Sequence, residues 1–594
     1  MLVPTGCRPH GAQELVDAEA RLWAGRRKGA QELGPWAATM EPHTRLGHEE
    51  MSGAAALIRR YGLVAACGIL IISLYLYHVH VYWFLSDDGY ISFRYARNLV
   101  DGLGLVWNAG EPVEGYTNFL WVVLIALGMM IGVEPEWLTP LLGVVAGLAV
   151  LGTITALEAR VRGWSDPRIL LTPAVLAVHK SFCGWSTSGL ETMLFAALVL
   201  AAAVALAREH EHPTVAPYRS SLLFALATLT RPDGGLFMIV AGFFVLWDVL
   251  CRRRTLRSAV LWGLPYLAIV GAHMLWRHGY YGAWLPNTFY AKVTVFSWPL
   301  SRAYFERFLT DYQLHWFVPF WALGWFARRD HLSAVLGVMT LVCLAYITYV
   351  RGDFLEYRFM VVLFAPVLWF VCRGLALLLS LRVASPVLRR LGIAGGACGY
   401  AALVYTTYRV MGDKAASKTR AGHESIEATR SYGNLRAEQG KALRDAIDRG
   451  QLPASLRIAT GSAGALPYYS GVWVLDFRGL NDTAIARQPV RRAARVGHDR
   501  QATLKYIQKR DAVVHLLDHR VIYRGGASAR KKARASNLKV MQRYNGQRTS
   551  RGYELRQVCL ELGRNEFMIF GTNVLQERLD AMLGHLSKCP ESRG

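Results

Sequence analysis

Paired-cysteine motifs are missing from this 594-residue chain. Its nine cysteines (Cys7, Cys67, Cys183, Cys251, Cys343, Cys372, Cys398, Cys559 and Cys589) show no CxxC and no metal-ligand spacing, which argues against zinc ribbons and dithiol redox motifs. Most of the middle ones lie in or beside apolar runs, where cysteine behaves as a small hydrophobe. Cys559 and Cys589 form a candidate pair if the tail lies in an oxidising compartment. No repeat of 20–50 residues is apparent, which argues against solenoids and propellers. The first fifty residues lack a signal-peptide layout, because the first apolar core follows Arg59-Arg60. Charged residues make up only 19% of the chain, less than a soluble protein usually carries. Lys and Arg are not gathered on one soluble domain with a recognition motif, so nucleic acid is not an expected partner.

What the chain has in quantity is apolar length: 53% of its residues are hydrophobic, and it carries a net charge of +24. Many runs reach the length of a transmembrane helix. The first is about Tyr61–Leu85, and the arginines before it place its start on the cytoplasmic side. Thr117–Val133 is apolar enough to span. If it crossed, Arg160, Arg162 and Arg168 would fall outside; if it lies along the outer surface as an interfacial helix, they fall inside. The second choice gives a consistent alternation through Leu138–Leu157, Ile169–Phe182, Ser188–Leu206, Tyr218–Thr230, Leu236–Leu250, Ala259–Trp276, His315–Phe326, Leu332–Val350, Phe359–Leu379 and Leu391–Val410. Arg208, Arg252-Arg253-Arg254, Arg257, Arg328-Arg329, Arg382 and Arg389-Arg390 then occupy cytoplasmic turns. The expected fold is an α-helical polytopic membrane protein of about eleven spans, with outer interfacial helices and a C-terminal soluble α/β domain.

Three regions follow. Residues 1–58 read as a disordered or mis-assigned extension, with Met40 and Met51 as alternative starts. Residues 59–410 form the membrane module, whose first outer loop is 86–137. Residues 411–594 form an extracytoplasmic domain with strand-like runs at Leu456–Ala459, Val472–Phe477, Ala512–Leu517 and Phe567–Phe570, and a helix over Ser425–Arg449.

This topology sorts the polar clusters onto one side. Asp87-Asp88 follows the first span, in a loop that carries Arg94, Tyr116 and Asn118. Glu191, Arg231-Pro232-Asp233, Tyr281, Asn287, Lys292, Asp353 and Arg358 stand at later outer ends, and Tyr468-Tyr469 in the outer domain. A carboxylate can take a proton from an attacking hydroxyl. Arg and Lys can neutralise a phosphate leaving group, and aromatic rings present flat faces to a sugar. Each residue also has a plainer explanation. Asp-Asp can be a polar stop, Glu191 a helix-dipole partner, Arg231-Pro232-Asp233 a turn, Lys292 and Arg358 snorkelling cations. Asp353 can be a structural partner of Arg351 or Arg358. Gly89, Gly102, Gly104 and Gly115 read as backbone turn positions, and His423 and His498 as ordinary surface residues.

The segments Asp87–Leu99 (DDGYISFRYARNL) and Gly104–Trp121 (GLVWNAGEPVEGYTNFLW), with Ser-Gly-Leu-Glu-Thr (188–192), Thr-Arg-Pro-Asp-Gly (230–234), Tyr-Tyr-Gly and Leu-Pro-Asn-Thr-Phe-Tyr-Ala-Lys within 280–292, Gly-Ser-Ala-Gly-Ala-Leu-Pro-Tyr-Tyr-Ser-Gly (461–471) and Gly479-Leu480-Asn481-Asp482, resemble the bacterial GT-C glycosyltransferases related to the mycobacterial terminal β-(1→2) arabinofuranosyltransferase. The similarity covers about residues 60–520. Two departures are Arg-Pro-Asp where Arg-Pro-Glu is expected, and Arg351-Gly352-Asp353 where Gly-Gly-Asp is common.

The resemblance implies a membrane enzyme of the bacterial cytoplasmic membrane that uses a polyprenyl-phosphate sugar donor, by likeness polyprenyl-phospho-arabinofuranose. Its acceptor would be an envelope glycan, lipid or protein. Asp87 or Asp88 would be the base or an electrostatic anchor. Arg94, Arg231, Lys292 and Arg358 would hold the donor phosphate. Tyr116, Asn118, Glu191, Asp233, Tyr281, Asn287, Asp353, Tyr468 and Tyr469 would line the substrates. Metal use is open: Asp87 and Asp88 suit Mg²⁺ or Mn²⁺ with waters. A transporter or flippase for a lipid-linked sugar is the alternative, but it would call for mid-span ionisable groups and paired broken helices; the charges here cluster at helix exits. A glycan-binding envelope scaffold is a third possibility.

Overall fold

A computed structural model describes residues 45–212, 218–293, 295–379, 385–412, 424–490, 497–512, 514–516, 522–524, 527–546, 556–563 and 566–572. Met40, His423 and Cys589 lie outside them. The chain divides into Met1–Arg60 and Tyr61–Gly594; the second unit carries the bundle and the sheet.

Seven helices among the described residues are long and apolar enough to cross a membrane: Arg60–Val81, Pro135–Arg162, Thr192–Glu211, Leu256–Tyr281, His331–Tyr349, Arg358–Leu379 and Pro386–Met411. Each coincides with one of the eleven expected spans. The other four fall on shorter pieces. Ile169–Phe182 is broken into Pro167–Leu170, Leu171–Ala177 and Lys180–Trp185. Tyr218–Thr230 is the 12-residue helix Arg219–Thr230, Leu236–Leu250 is the 17-residue Gly234–Leu250, and His315–Phe326 splits at Phe317. Thr117–Val133 contains only the 12-residue helix Phe119–Met130. At 1.5 Å per residue that helix is about 18 Å long, short of a bilayer core. Trp121 anchors it, buried and donating Nε1 to Gly189 O at 3.0 Å.

The remaining chain builds a mixed sheet. Strands β1 (Arg457–Thr460), β2 (Trp473–Asp476) and β3 (Val514–Leu516) are parallel, with β1 in the middle. The β1–β2 crossover carries a short helix, Ala465–Ser470, as a parallel connection requires. Strands β4 (Ile522–Arg524) and β5 (Arg556–Gly563) pair antiparallel with β6 (Glu566–Thr572), and β6 meets β3 in the same sense. Strands β4 and β5 were not expected from the sequence. Cys559, on β5, is disulfide-bonded.

The composition changes at Met411, but the apolar core does not stop there. One cluster joins Tyr90, Phe93, Tyr95, Trp107 and Trp121 of the first loop to Leu443, Leu456, Ile458, Leu466 and Val474 of the later region. Burying such side chains contributes roughly 1.5–3 kcal/mol each. The sheet region is therefore packed onto the segment that follows the first long helix, against the helix Asp87–Val100.

Candidate active site

Asp87 and Asp88 begin a helix, Asp87–Val100, where the sequence suggested a loop. Ser86 caps it: its hydroxyl accepts from Gly89 N, and two carboxylates in the first turn suit the positive end of the helix dipole. Ser86 N and Oγ both donate to Ser188 O, at 2.9 and 3.0 Å. A Cβ on Gly89 would stand 3.3 Å from the Gly189 backbone, so Gly89 serves close approach within a helix rather than a turn. Two motifs 100 residues apart in sequence are thereby fastened together.

The two carboxylates have different surroundings. Asp87 is buried. Its Oδ1 accepts from Ala465 N at 2.8 Å, and its oxygens lie 3.3 and 3.2 Å from the donating Ser462 hydroxyl. The Gly-Ser-Ala-Gly segment passes so near that a Cβ on Gly464 would sit 1.7 Å from Asp87 O. Burial pushes the Asp87 carboxyl up to about 6; the Ala465 N–H opposes this and the neighbouring Asp88 charge adds to it. Asp88 is half-buried. Among the described residues its carboxylate makes no hydrogen bond or ion pair. It lines two adjoining cavities, of about 230 and 150 Å³.

The larger cavity brings together Asp88, Tyr116, Asn118, Glu191, Arg231, Asp233, Lys292, Asp353 and Arg358. Most of its charges are paired. Arg231 donates to Glu191 at 3.2 Å and to Asp233 at 3.0 Å; Arg358 donates to Asp353 at 2.9 Å. Asn118 bridges Glu191, at 2.8 Å, and Ser92, at 3.0 Å. Arg351, the alternative partner for Asp353, pairs instead with Asp499. Lys292 is half-buried, and among the described residues its ammonium has no hydrogen bond or ion pair. Leu285, Phe289, Val293, Tyr346 and Phe359 give the cavity an apolar flank. Leu285 and Phe289 are exposed.

Other sequence candidates lie elsewhere. The Arg94 guanidinium donates to Trp107 O, Pro467 O and Val472 O and to Asn108 Oδ1, and it lines neither cavity. It holds loop and sheet region together, and is not placed to take a phosphate. Tyr281 stands behind Tyr116, 3.2 Å between hydroxyls. Asn287 donates to Gly479 O and Leu480 O. Tyr468 accepts from Arg97, Tyr469 donates to Glu136 at 2.9 Å, and both rings pack on Tyr90. These four line neither cavity; they brace the walls.

The smaller cavity was largely missed. It shares Asp88, Lys292, Phe354, Leu480 and Gly497 with the larger and adds Asp87, Tyr432, Ser462, Arg436 and Arg478. His498, read as a surface residue, lines it with its ring edge-on to Phe354. Ser462 was within reach of sequence reasoning, since it sits in the quoted Gly-Ser-Ala-Gly run. Arg436 and Tyr432 were not: they fall on one turn of an ordinary-looking helix, Ile426–Asp448.

A bundle of long apolar helices, short helices along one end, and a sheet region packed over a cavity whose carboxylate Asp88 has no partner among the described residues define a polytopic α-helical membrane fold. The crystal structure of ArnT from Cupriavidus metallidurans bound to undecaprenyl phosphate has this fold: TM-score 0.52 at 13% identity, covering 86% of this chain and 98% of that one. In sequence the chain is related to two enzymes named terminal beta-(1->2)-arabinofuranosyltransferase. It is 30% identical over 247 residues to that of Mycobacterium tuberculosis, covering 39% of this chain and 38% of the relative. It is 29% identical over 335 residues to that of Corynebacterium glutamicum, covering 48% and 47%. The matched part therefore spans less than half the length of these curated relatives. A family model described as "Domain of unknown function (DUF8728)" matches residues 430–570.

Proposed function

We propose that the chain is a membrane glycosyltransferase that moves a sugar, arabinofuranose by its relatives, from a polyprenyl-phosphate donor to an envelope glycan, lipid or protein on the outer side of the bacterial cytoplasmic membrane. The observation that carries this is the pairing pattern: of the charged groups around the larger cavity, Asp88 and Lys292 alone are left without a hydrogen bond or ion pair among the described residues, and both face both cavities. The donor's phosphate and lipid fit the larger cavity, with its apolar flank; the acceptor sugar fits the smaller, among Ser462, Tyr432, Arg436 and Arg478. The acceptor hydroxyl attacks the anomeric carbon, Asp88 takes its proton, and the bond to the phosphate oxygen breaks. The charge gained by the leaving lipid phosphate develops beside Lys292.

No step here runs through a metal. Asp87's oxygens are taken by Ser462 and Ala465, which leaves Asp88 as the carboxylate of this pair that Mg²⁺ or Mn²⁺ would reach.

The test is transfer from labelled polyprenyl-phospho-arabinofuranose by the purified full chain in nanodiscs. Labelled product with the wild type and transfer slowed roughly 10²–10⁴-fold with Asp88→Asn is expected. Full transfer by Asp88→Asn overturns the role of Asp88. Movement of the lipid-linked sugar across proteoliposomes without transfer overturns the enzyme.

A further inference from the structure

The end of the bundle away from the cavity holds a second cluster. Three helices contribute to the cavity at one end: Glu191 precedes Thr192–Glu211, Asp233 precedes Gly234–Leu250, and Tyr346 lies near the close of His331–Tyr349. The opposite ends of the same three carry His210, Asp248 and His331. The ligand atoms of these residues lie within 4.8 Å of one another. At 1.5 Å per residue the two clusters are separated by roughly 22–28 Å.

The details point to a cation. His210 Nδ1 lies 2.8 Å from Asp248 Oδ2, so an imidazole nitrogen and a carboxylate oxygen already meet within the cluster. His331 stacks on His210, centroids 3.9 Å apart and planes 12° from parallel. Both ring nitrogens of His331 are buried and make no hydrogen bond among the described residues. Buried polar atoms are nearly always satisfied, so two empty nitrogens beside a histidine and a carboxylate ask for a ligand. Two imidazoles and one carboxylate suit Zn²⁺ or a neighbouring first-row divalent ion, with a fourth position open. Tetrahedral ligand atoms stand about 3.3 Å apart at bonds of about 2.0–2.1 Å, so rotation of the imidazoles about their side-chain bonds is needed to close the set.

Arg254 is buried beside the cluster, its three guanidinium nitrogens without a hydrogen bond among the described residues, and its charge acts on both Asp248 and His331. It supplies donors for water or an anion at the open position. We infer that His210, Asp248 and His331 bind one divalent transition-metal ion, which clasps three helices at the end of the bundle opposite the cavity.

Metal content of the purified full chain tests this directly. After growth with zinc, about one equivalent is expected in the wild type. His331→Phe keeps the ring stack and removes the ligand, so it should fall below about a tenth of an equivalent while retaining the wild-type elution profile in detergent; Asp248→Asn should bind intermediately. Chelator should lower the wild-type Tm, zinc should restore it, and the Tm of His331→Phe should respond to neither. Co²⁺ loaded into the wild type should show the absorption of a tetrahedral site. A folded wild type with no bound metal and no Co²⁺ spectrum overturns the assignment, as does metal retained in full by His331→Phe.

Discussion

The adjacent carboxylates at the start of the helix Asp87–Val100 offer the sharpest trial of the site. Asp88 has no partner among the described residues, so Asp88→Asn should change folding stability by less than about 0.5 kcal/mol. The same change should lower kcat by roughly 10²–10⁴, the usual worth of a general base. Asp87→Asn should do the reverse. An amide at that position still accepts from Ala465 N and meets the Ser462 hydroxyl, so the sheet region stays docked and transfer should stay within about tenfold.

The stability effect follows from charge. The Asp87 carboxyl is raised from 3.8 to about 6 by burial, and that difference corresponds to roughly 3 kcal/mol. Because the folded value lies above the unfolded one, the folded protein binds the proton more tightly. The contribution is fully present below about pH 4 and is lost as pH rises through about 6. In the wild type this group should make stability fall across that window. Asp87→Asn should remove the slope and gain up to about 3 kcal/mol near pH 7. Thermal unfolding in nanodiscs from pH 4 to 8, beside initial rates with labelled donor, measures all of this. An inactive Asp87→Asn with wild-type stability, alongside an active Asp88→Asn, would refute the assignment of roles.

Lys292→Met should lower kcat roughly 10²–10³-fold without moving Tm, since its ammonium holds no protein group among the described residues and on the proposed mechanism would act on the leaving phosphate; inhibition by added polyprenyl phosphate, weaker in the variant, is the second readout. Arg231→Met strands Glu191 and Asp233 without their shared cation and should cost about 3–5 kcal/mol, seen as a lower Tm in detergent. Arg231→Lys should recover part of that loss. Gly464→Ala forces a methyl into the Asp87 carbonyl oxygen; it should lower Tm and reduce activity together, unlike Asp88→Asn.

Much of this architecture was legible. Apolar length and the placing of arginines gave seven of the eleven expected spans as long apolar helices, and the same argument left Thr117–Val133 uncounted, where a 12-residue helix now stands. Residues that converge on the cavity were found because each follows or precedes an apolar run, so topology alone collects them at one end. Arg94, Asn287, Tyr468 and Tyr469 were misplaced for a common reason. A polar side chain in a motif looks the same in sequence whether it faces substrate or backbone carbonyls, and only the fold shows Arg94 spending its donors on Trp107, Pro467, Val472 and Asn108. Strands β4 and β5 escaped because β5 mixes charged and apolar residues without clean alternation, and β4 is three residues long.

The pairing of charges explains why so polar a cavity can stand at the rim of a lipid-embedded bundle. An isolated ion in low dielectric is costly, and a matched pair much less so. Arg231 with two carboxylates and Arg358 with one satisfy that rule, which fixes their geometry and cancels their charge. Asp88 and Lys292 break it, and neither is fully buried: each sits where the two cavities join, open to whatever fills them. A donor phosphate would complete Lys292, and an acceptor hydroxyl would complete Asp88. On this view the walls are neutralised in advance so that substrate supplies the missing partners, and the reaction begins from the one arrangement in which every charge at the junction has been answered.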